Sequence, residues 1–106
     1  MSEWLRALSV NQLPEGKTAA VKIGGQSILL ARVDGHVYAL RNECPHLGCP
    51  LQRGQLEGFL LKCPCHDWVF DLRTGEFTLA PEIVIPFFPV KVANGEILLK
   101  TGGEER

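Results

Sequence analysis

No stretch of this 106-residue chain approaches the roughly eighteen consecutive apolar residues that a membrane-spanning helix needs, the longest candidate being the short run from Ile28 to Ala31. A direct membrane anchor is therefore not expected. Charge of one sign is also missing: 11 Lys and Arg against 12 Asp and Glu leave a formal net charge of -1. The basic residues, among them Lys17, Lys22, Arg32, Arg53, Lys62 and Lys91, are scattered rather than gathered into a stripe, which sets nucleic acid aside as a partner. The opening segment MSEWLRALSV has no cationic cap ahead of an apolar run, no twin arginine and no small-residue cleavage site, and this predicts a cytoplasmic protein. There are 11 Gly and seven Pro among many Val and Leu, with Ile and Phe beside them. That balance leaves little room for helix and favours short strands joined by tight turns.

With 45% hydrophobic and 22% charged residues the chain is expected to fold as one compact all-β domain over residues 1–106. Gly24-Gly25, Asp34-Gly35 and Asn94-Gly95 each sit between aliphatic runs and predict β-hairpins. Lys17 to Ile23, Gln26 to Val33 and His36 to Arg41 then form a three-stranded meander. The pattern breaks at Pro45, Gly48, Pro50 and Gly54, resumes with Phe59 to Lys62, and breaks again at Cys63 to His66. Val69 to Leu72 and Glu76 to Leu79 read as a hairpin about Thr74-Gly75, and Phe87 to Ala93 pairs with Glu96 to Lys100. Pro81, Pro86 and Pro89 remove amide donors, so Ala80 to Pro86 is expected to be a surface loop.

All four cysteines and two of the three histidines fall in two short segments, Cys44-Pro45-His46-Leu47-Gly48-Cys49 and Cys63-Pro64-Cys65-His66. A lone His is usually structural, and His36, after a Gly turn, is read that way. Each of the two segments, by contrast, offers a soft thiolate beside an imidazole, a combination suited to iron or zinc. One residue separates Cys44 from His46 and two separate Cys63 from His66, so the donors of each loop aim at different points. A two-metal cluster accommodates that geometry.

C-x-H, 16 intervening residues, then C-x-x-H resembles the signature of the Rieske iron–sulfur family, with Cys44-Pro45-His46 and Cys63-Pro64 matching its common wording. The run Trp68-Val69-Phe70-Asp71-Leu72-Arg73-Thr74-Gly75 is similar to the strand and turn that follow the second loop in Rieske ferredoxins, and the likeness extends over most of residues 17–100. The resemblance implies an antiparallel β-sandwich with a small cluster-binding subdomain over about residues 42–82. It implies one 2Fe-2S cluster held by Cys44, His46, Cys63 and His66. The two remaining thiols, Cys49 and Cys65, occupy positions similar to the loop-linking disulfide of high-potential Rieske proteins, and their pairing is expected on that ground. Pro45, Leu47, Gly48, Pro64, Asp67, Trp68, Phe70 and Pro81 are expected to shield the cluster or surround its ligands.

Two ferric ions, two sulfides and two thiolates sum to zero charge, which raises the potential to between about −150 and +300 mV, against about −400 mV for plant-type clusters. High-potential relatives carry a Ser and a Tyr at the positions filled here by Trp68 and Phe70, and usually a Gly where this chain has Asp67. The lost hydroxyls and the added carboxylate predict a potential low in that range.

The function implied is that of a one-electron carrier, not an enzyme: a ferredoxin component linking a reductase donor to an oxygenase or other oxidoreductase. Partners would dock at an apolar tip around His46 and His66, ringed by Pro45, Leu47, Pro50, Leu51, Pro64 and Pro81. A small subunit of a nitrite reductase-type complex is the alternative, and a structural zinc module using Cys44, His46, Cys63 and either Cys65 or His66 is a further one. A complete Rieske oxygenase is excluded, because its second iron needs two more histidines and a carboxylate, and His36 alone is uncommitted.

Overall fold

The computed structural model describes residues 4–43, 49–65 and 68–100. Among these residues eleven strands run in chain order: β1 Leu5–Ser9, β2 Thr18–Ile23, β3 Gln26–Val33, β4 His36–Arg41, β5 Gln55–Glu57, β6 Leu60–Lys62, β7 Val69–Asp71, β8 Glu76–Phe77, β9 Ala80–Val84, β10 Val90–Ala93 and β11 Glu96–Leu99. They form three antiparallel sheets, ordered β1-β11-β10, β2-β3-β4 and β5-β6-β7-β8-β9. Among the described residues helix is limited to two short 3-10 turns, Val10–Gln12 and Leu51–Arg53.

The meander follows from its turns. Asp34 and Gly35 have φ of 55° and 79°, and Asn94 and Gly95 have 54° and 77°, the left-handed pair that a two-residue hairpin turn requires. Val33 therefore pairs with His36, and Ala93 with Glu96. His36 is exposed at the start of β4, so its structural reading becomes a solvent-facing one.

Because side chains alternate along a strand, β3 feeds two cores. Leu29, Ala31 and Val33 pack with Leu40, Leu51, Leu61, Cys63, Phe70, Leu72, Phe77 and Ile85. Ile28 and Leu30 pack the other way, with Leu13, Ala39, Phe88, Ile97 and Leu99. The meander is thus the middle layer of a sandwich, and burial on both faces explains why Ile28 to Ala31 reads as an unbroken apolar run.

Three elements differ from the sequence reading. Leu5–Ser9 is a strand paired with β11, a pairing absent from the sequence reading. Gln55–Glu57 adds a strand beside β6. Ala80–Val84, expected as a loop, is β9; it lies at the edge of its sheet, and its pairing with β8 slips between Glu76 and Phe77. An edge strand with an irregular register tolerates the amide missing at Pro81.

Glu15 secures the β3–β4 turn. Its Oε1 accepts the Gly35 N–H at 3.0 Å and its Oε2 accepts the Asp34 N–H. The Gly35 bond first, then the Asp34 bond, with lesser help from Arg32 and His36, hold this carboxyl below the usual glutamate range. A lowered folded value means stability that is present above the unfolded value, about pH 4.3, and is lost as pH falls through the folded one. Glu15→Gln should therefore flatten the acid limb of a thermal melt series between neutral and low pH. An acid limb identical to the parent's would remove Glu15 from that role.

Candidate metal centre

The five-stranded sheet positions the second loop. Leu56 pairs with Leu61, Leu61 with Phe70, and Phe70 with Phe77, a row of apolar side chains on the core face. Two residues past Leu61, Cys63 keeps that face, and two residues before Phe70, so does Trp68. The Cys63 N–H donates to the Trp68 carbonyl at 2.7 Å, carrying the β6–β7 ladder one pair further and closing the root of the loop. Cys63 lies outside any disulfide and is 1% exposed. A thiol so enclosed by apolar groups is inert as a nucleophile and suits a metal ligand kept from water.

Aromatic rings support this root. Trp68 stacks on Phe77 with centroids 4.1 Å apart and planes 7° from parallel, while Phe70, fully buried, lies 5.5 Å from Phe77. Neither Trp68 nor Phe70 brings a hydroxyl to this end of the sheet.

The first loop is secured at its root by a buried amide. Asn42 Nδ2 donates to Ser27 Oγ at 3.1 Å and to Gln52 Oε1 at 2.7 Å, and Asn42 Oδ1 accepts the Gln52 N–H at 3.0 Å. Residues just before and just after the loop are thereby joined to each other and to the start of β3. Nothing in the sequence singled out Asn42 or Gln52, because a pair of polar residues ten apart carries no motif.

Between the loops stands the Cys49–Cys65 disulfide, Cα atoms 6.5 Å apart across a separation of 16 residues. The pairing expected from the resemblance is present, and it removes Cys65 from any metal-ligand set. Gly54 brings the loops' supports together: its φ of -78° is ordinary, but a Cβ there would lie 1.9 Å from the Lys62 carbonyl oxygen. Only glycine lets the strand after the first loop approach β6 immediately before Cys63.

Of the remaining site residues, Pro64 and Pro81 are exposed. Cys44, Pro45, His46, Leu47, Gly48, His66 and Asp67 lie outside the described residues. Leu51, expected at the exposed tip, is fully buried, because the 3-10 turn it opens rotates it into the core with Leu61 and Cys63. Leu79 is 86% exposed and was not anticipated. The Thr78 N–H donates to the Val69 carbonyl at 2.9 Å, which leaves Leu79 at the same end of the sheet as Trp68.

Residues 3–89 match the family model described as the Rieske [2Fe-2S] domain. The chain is 37% identical over 98 residues to a ferredoxin component of naphthalene 1,2-dioxygenase/salicylate 5-hydroxylase systems from Ralstonia sp., covering 92% of this chain and 94% of the relative. Among solved structures, the ferredoxin of carbazole 1,9a-dioxygenase from Nocardioides aromaticivorans IC177 superposes with a TM-score of 0.84 at 30% identity, covering 91% of this chain and 95% of that one. A chain in a complex of reduced oxygenase and oxidised ferredoxin in carbazole 1,9a-dioxygenase gives a TM-score of 0.86 at 27% identity, covering 97% and 96%.

Proposed function

The chain belongs to the Rieske [2Fe-2S] domain family and carries one Rieske-type 2Fe-2S cluster, and from that premise we propose that it is a ferredoxin component, a one-electron carrier between a reductase and a terminal oxygenase. The observation that carries this reading is the alignment with a ferredoxin component, which takes in 92% of this chain and 94% of that relative. The oxygenase as acceptor is supported by the ferredoxin–oxygenase complex named above.

Cys44, His46, Cys63 and His66 are the residues we assign to the cluster, two thiolates and two imidazoles. The fit rests on the enclosed Cys63 and on the disulfide that ties its loop to the one bearing Cys44 and His46. When bound, the cluster accepts and releases one electron. The protein's own part is to exclude water with Leu61, Phe70 and Trp68 and to hold the two loops rigid, so that a change of oxidation state requires little rearrangement. The reading takes residues 1–106 as one domain with its cluster-binding subdomain over about 42–82. Docking is assigned to the loop end, where Pro50, Pro64, Leu79 and Pro81 are exposed. The carrier catalyses no reaction of its own.

The test is direct. Purified protein should be red-brown, bleach on one-electron reduction, and reoxidise in step with product when mixed without oxygen limitation with an aromatic-ring oxygenase and its substrate. A colourless protein would overturn the cluster, and a reduced protein that no oxygenase reoxidises would overturn the acceptor.

The side chains around the cluster also make a prediction. Trp68→Ser and Phe70→Tyr each offer a hydroxyl that a cluster sulfur could accept, and a bond to the more negative reduced state is worth on the order of 1 kcal/mol. At about 59 mV per tenfold change for one electron, that raises the midpoint by roughly 40 mV per bond formed. Phe70 is fully buried, so a hydroxyl that reached no acceptor would lower the melting temperature instead. Voltammetry and melting together separate the outcomes: a lower melt with an unchanged midpoint counts against this account of the potential.

A further inference from the structure

The Cys49–Cys65 bridge stands at the surface. Cys65 is exposed and Cys49 half-buried, in contrast to the enclosed Cys63 two residues away. The flanking Pro50 and Pro64 are exposed too. Exposed disulfides are the ones open to exchange, since the attacking thiolate must reach a sulfur in line.

The two loop roots are fastened without this bridge: the first by the Asn42–Gln52 hydrogen bonds, the second by the Cys63 N–H to Trp68 carbonyl bond. The disulfide is thus a tie between loops rather than a support of either. Opening it leaves both roots in place, and Pro50 and Pro64 keep the backbone beside each thiol preset for closure.

From this arrangement we propose that Cys49–Cys65 is a thiol–disulfide exchange site for a dithiol reductant, and that its state sets how firmly the loops retain the cluster. The inference rests on the cluster reading given above. In the step, a thiolate of the dithiol attacks the sulfur of the exposed residue Cys65, the Cys49–Cys65 bond breaks, and Cys49 leaves as a thiolate that takes up a proton. The second thiol of the reductant then displaces Cys65 and closes the reductant's own disulfide. Two electrons pass from the dithiol to the bridge, and the reverse exchange with the oxidised reductant restores it. A dithiol is favoured over a monothiol because its second step is intramolecular.

The experiment uses holo protein, millimolar dithiothreitol under anaerobic conditions, an alkylating agent read by mass spectrometry, and an iron chelator followed by visible absorbance. Cys49 and Cys65 should become alkylated together while the protein is still coloured and Cys63 still unlabelled. Iron release should then quicken about tenfold, less than the chain-entropy value for a loop of this length because the cluster itself links the same two loops. The Cys49→Ala/Cys65→Ala protein should release iron at the faster rate with no response to dithiothreitol. Three results would overturn the proposal: a bridge that resists reduction in the folded protein, a bridge that opens with no change in iron release, or a double variant that responds to dithiothreitol as the parent does. A protein colourless from the outset would instead overturn the cluster reading, while the alkylation of Cys49 and Cys65 would still report whether exchange occurs.

Discussion

Gly54→Ala is expected to destabilise the protein by about 3 kcal/mol, the upper end for an overpacked site, and to loosen the metal centre with it. The added Cβ would stand 1.9 Å from the Lys62 carbonyl oxygen, 3.0 Å from its carbon and 3.2 Å from the Leu51 carbonyl oxygen. All three are backbone atoms, so no side chain can rotate away. Relief requires β5 to draw back from β6 at the Gln55–Lys62 pair, the last before Cys63. Gly25→Ala is the control: nothing lies within 4 Å of its Cβ, but φ is +82°, so the cost is conformational and about 1 kcal/mol. Denaturant melts of both variants, with iron content measured alongside, test the contrast. Equal melts, or full iron content in the Gly54 variant, would mean that the close approach at Lys62 yields more readily than the geometry implies.

Why Gly54 was not visible beforehand shows which parts of this fold the sequence states. Hairpins were legible because their information is local: a dipeptide able to take positive φ, set between aliphatic runs, fixes turn and register together. The meander was read to within one residue for that reason. Strand β1 was missed because its partner β11 lies about ninety residues away, as its Arg6–Glu96 ion pair shows, and a register shift between Arg6 and Leu8 spoils the alternation. Strand β9 was hidden behind Pro81, which argues against a central strand but not against an edge. Leu51, among prolines and glycines, read as exposed until the 3-10 turn placed it in the core. A near-contact between Gly54 and Lys62 is tertiary in the same way.

The site divides along similar lines. The assignment of Cys44, His46, Cys63 and His66 rests on the motif, whereas the Cys49–Cys65 disulfide was expected from the resemblance to high-potential Rieske proteins and is present. The supports were not legible. Asn42 and Gln52 act through hydrogen bonds that exist only once both loop ends are in place, and Leu79 stands out only by its exposure, which composition does not report.

Cys63→Ala is expected to abolish the visible absorption and yet leave a folded, colourless chain. The side chain sits among Leu61, Phe70 and Phe77, so its removal costs the apo fold only a small cavity, on the order of 1 kcal/mol. Loss of the metal centre would be complete, because a cluster short of one thiolate is both under-coordinated and positively charged in an apolar setting. His66→Cys makes the complementary test. It keeps four donors but replaces a neutral imidazole by a thiolate, adding one negative charge to each oxidation state. Adding an electron then becomes harder, and the midpoint should fall by at least about 100 mV, toward the all-cysteine range. Cys49→Ala/Cys65→Ala, by contrast, should remain coloured, since those sulfurs bond to each other. A coloured Cys63→Ala protein, or a His66→Cys protein with the parent's midpoint, would remove that residue from the ligand set, whereas a colourless double variant would bring the bridge cysteines into it.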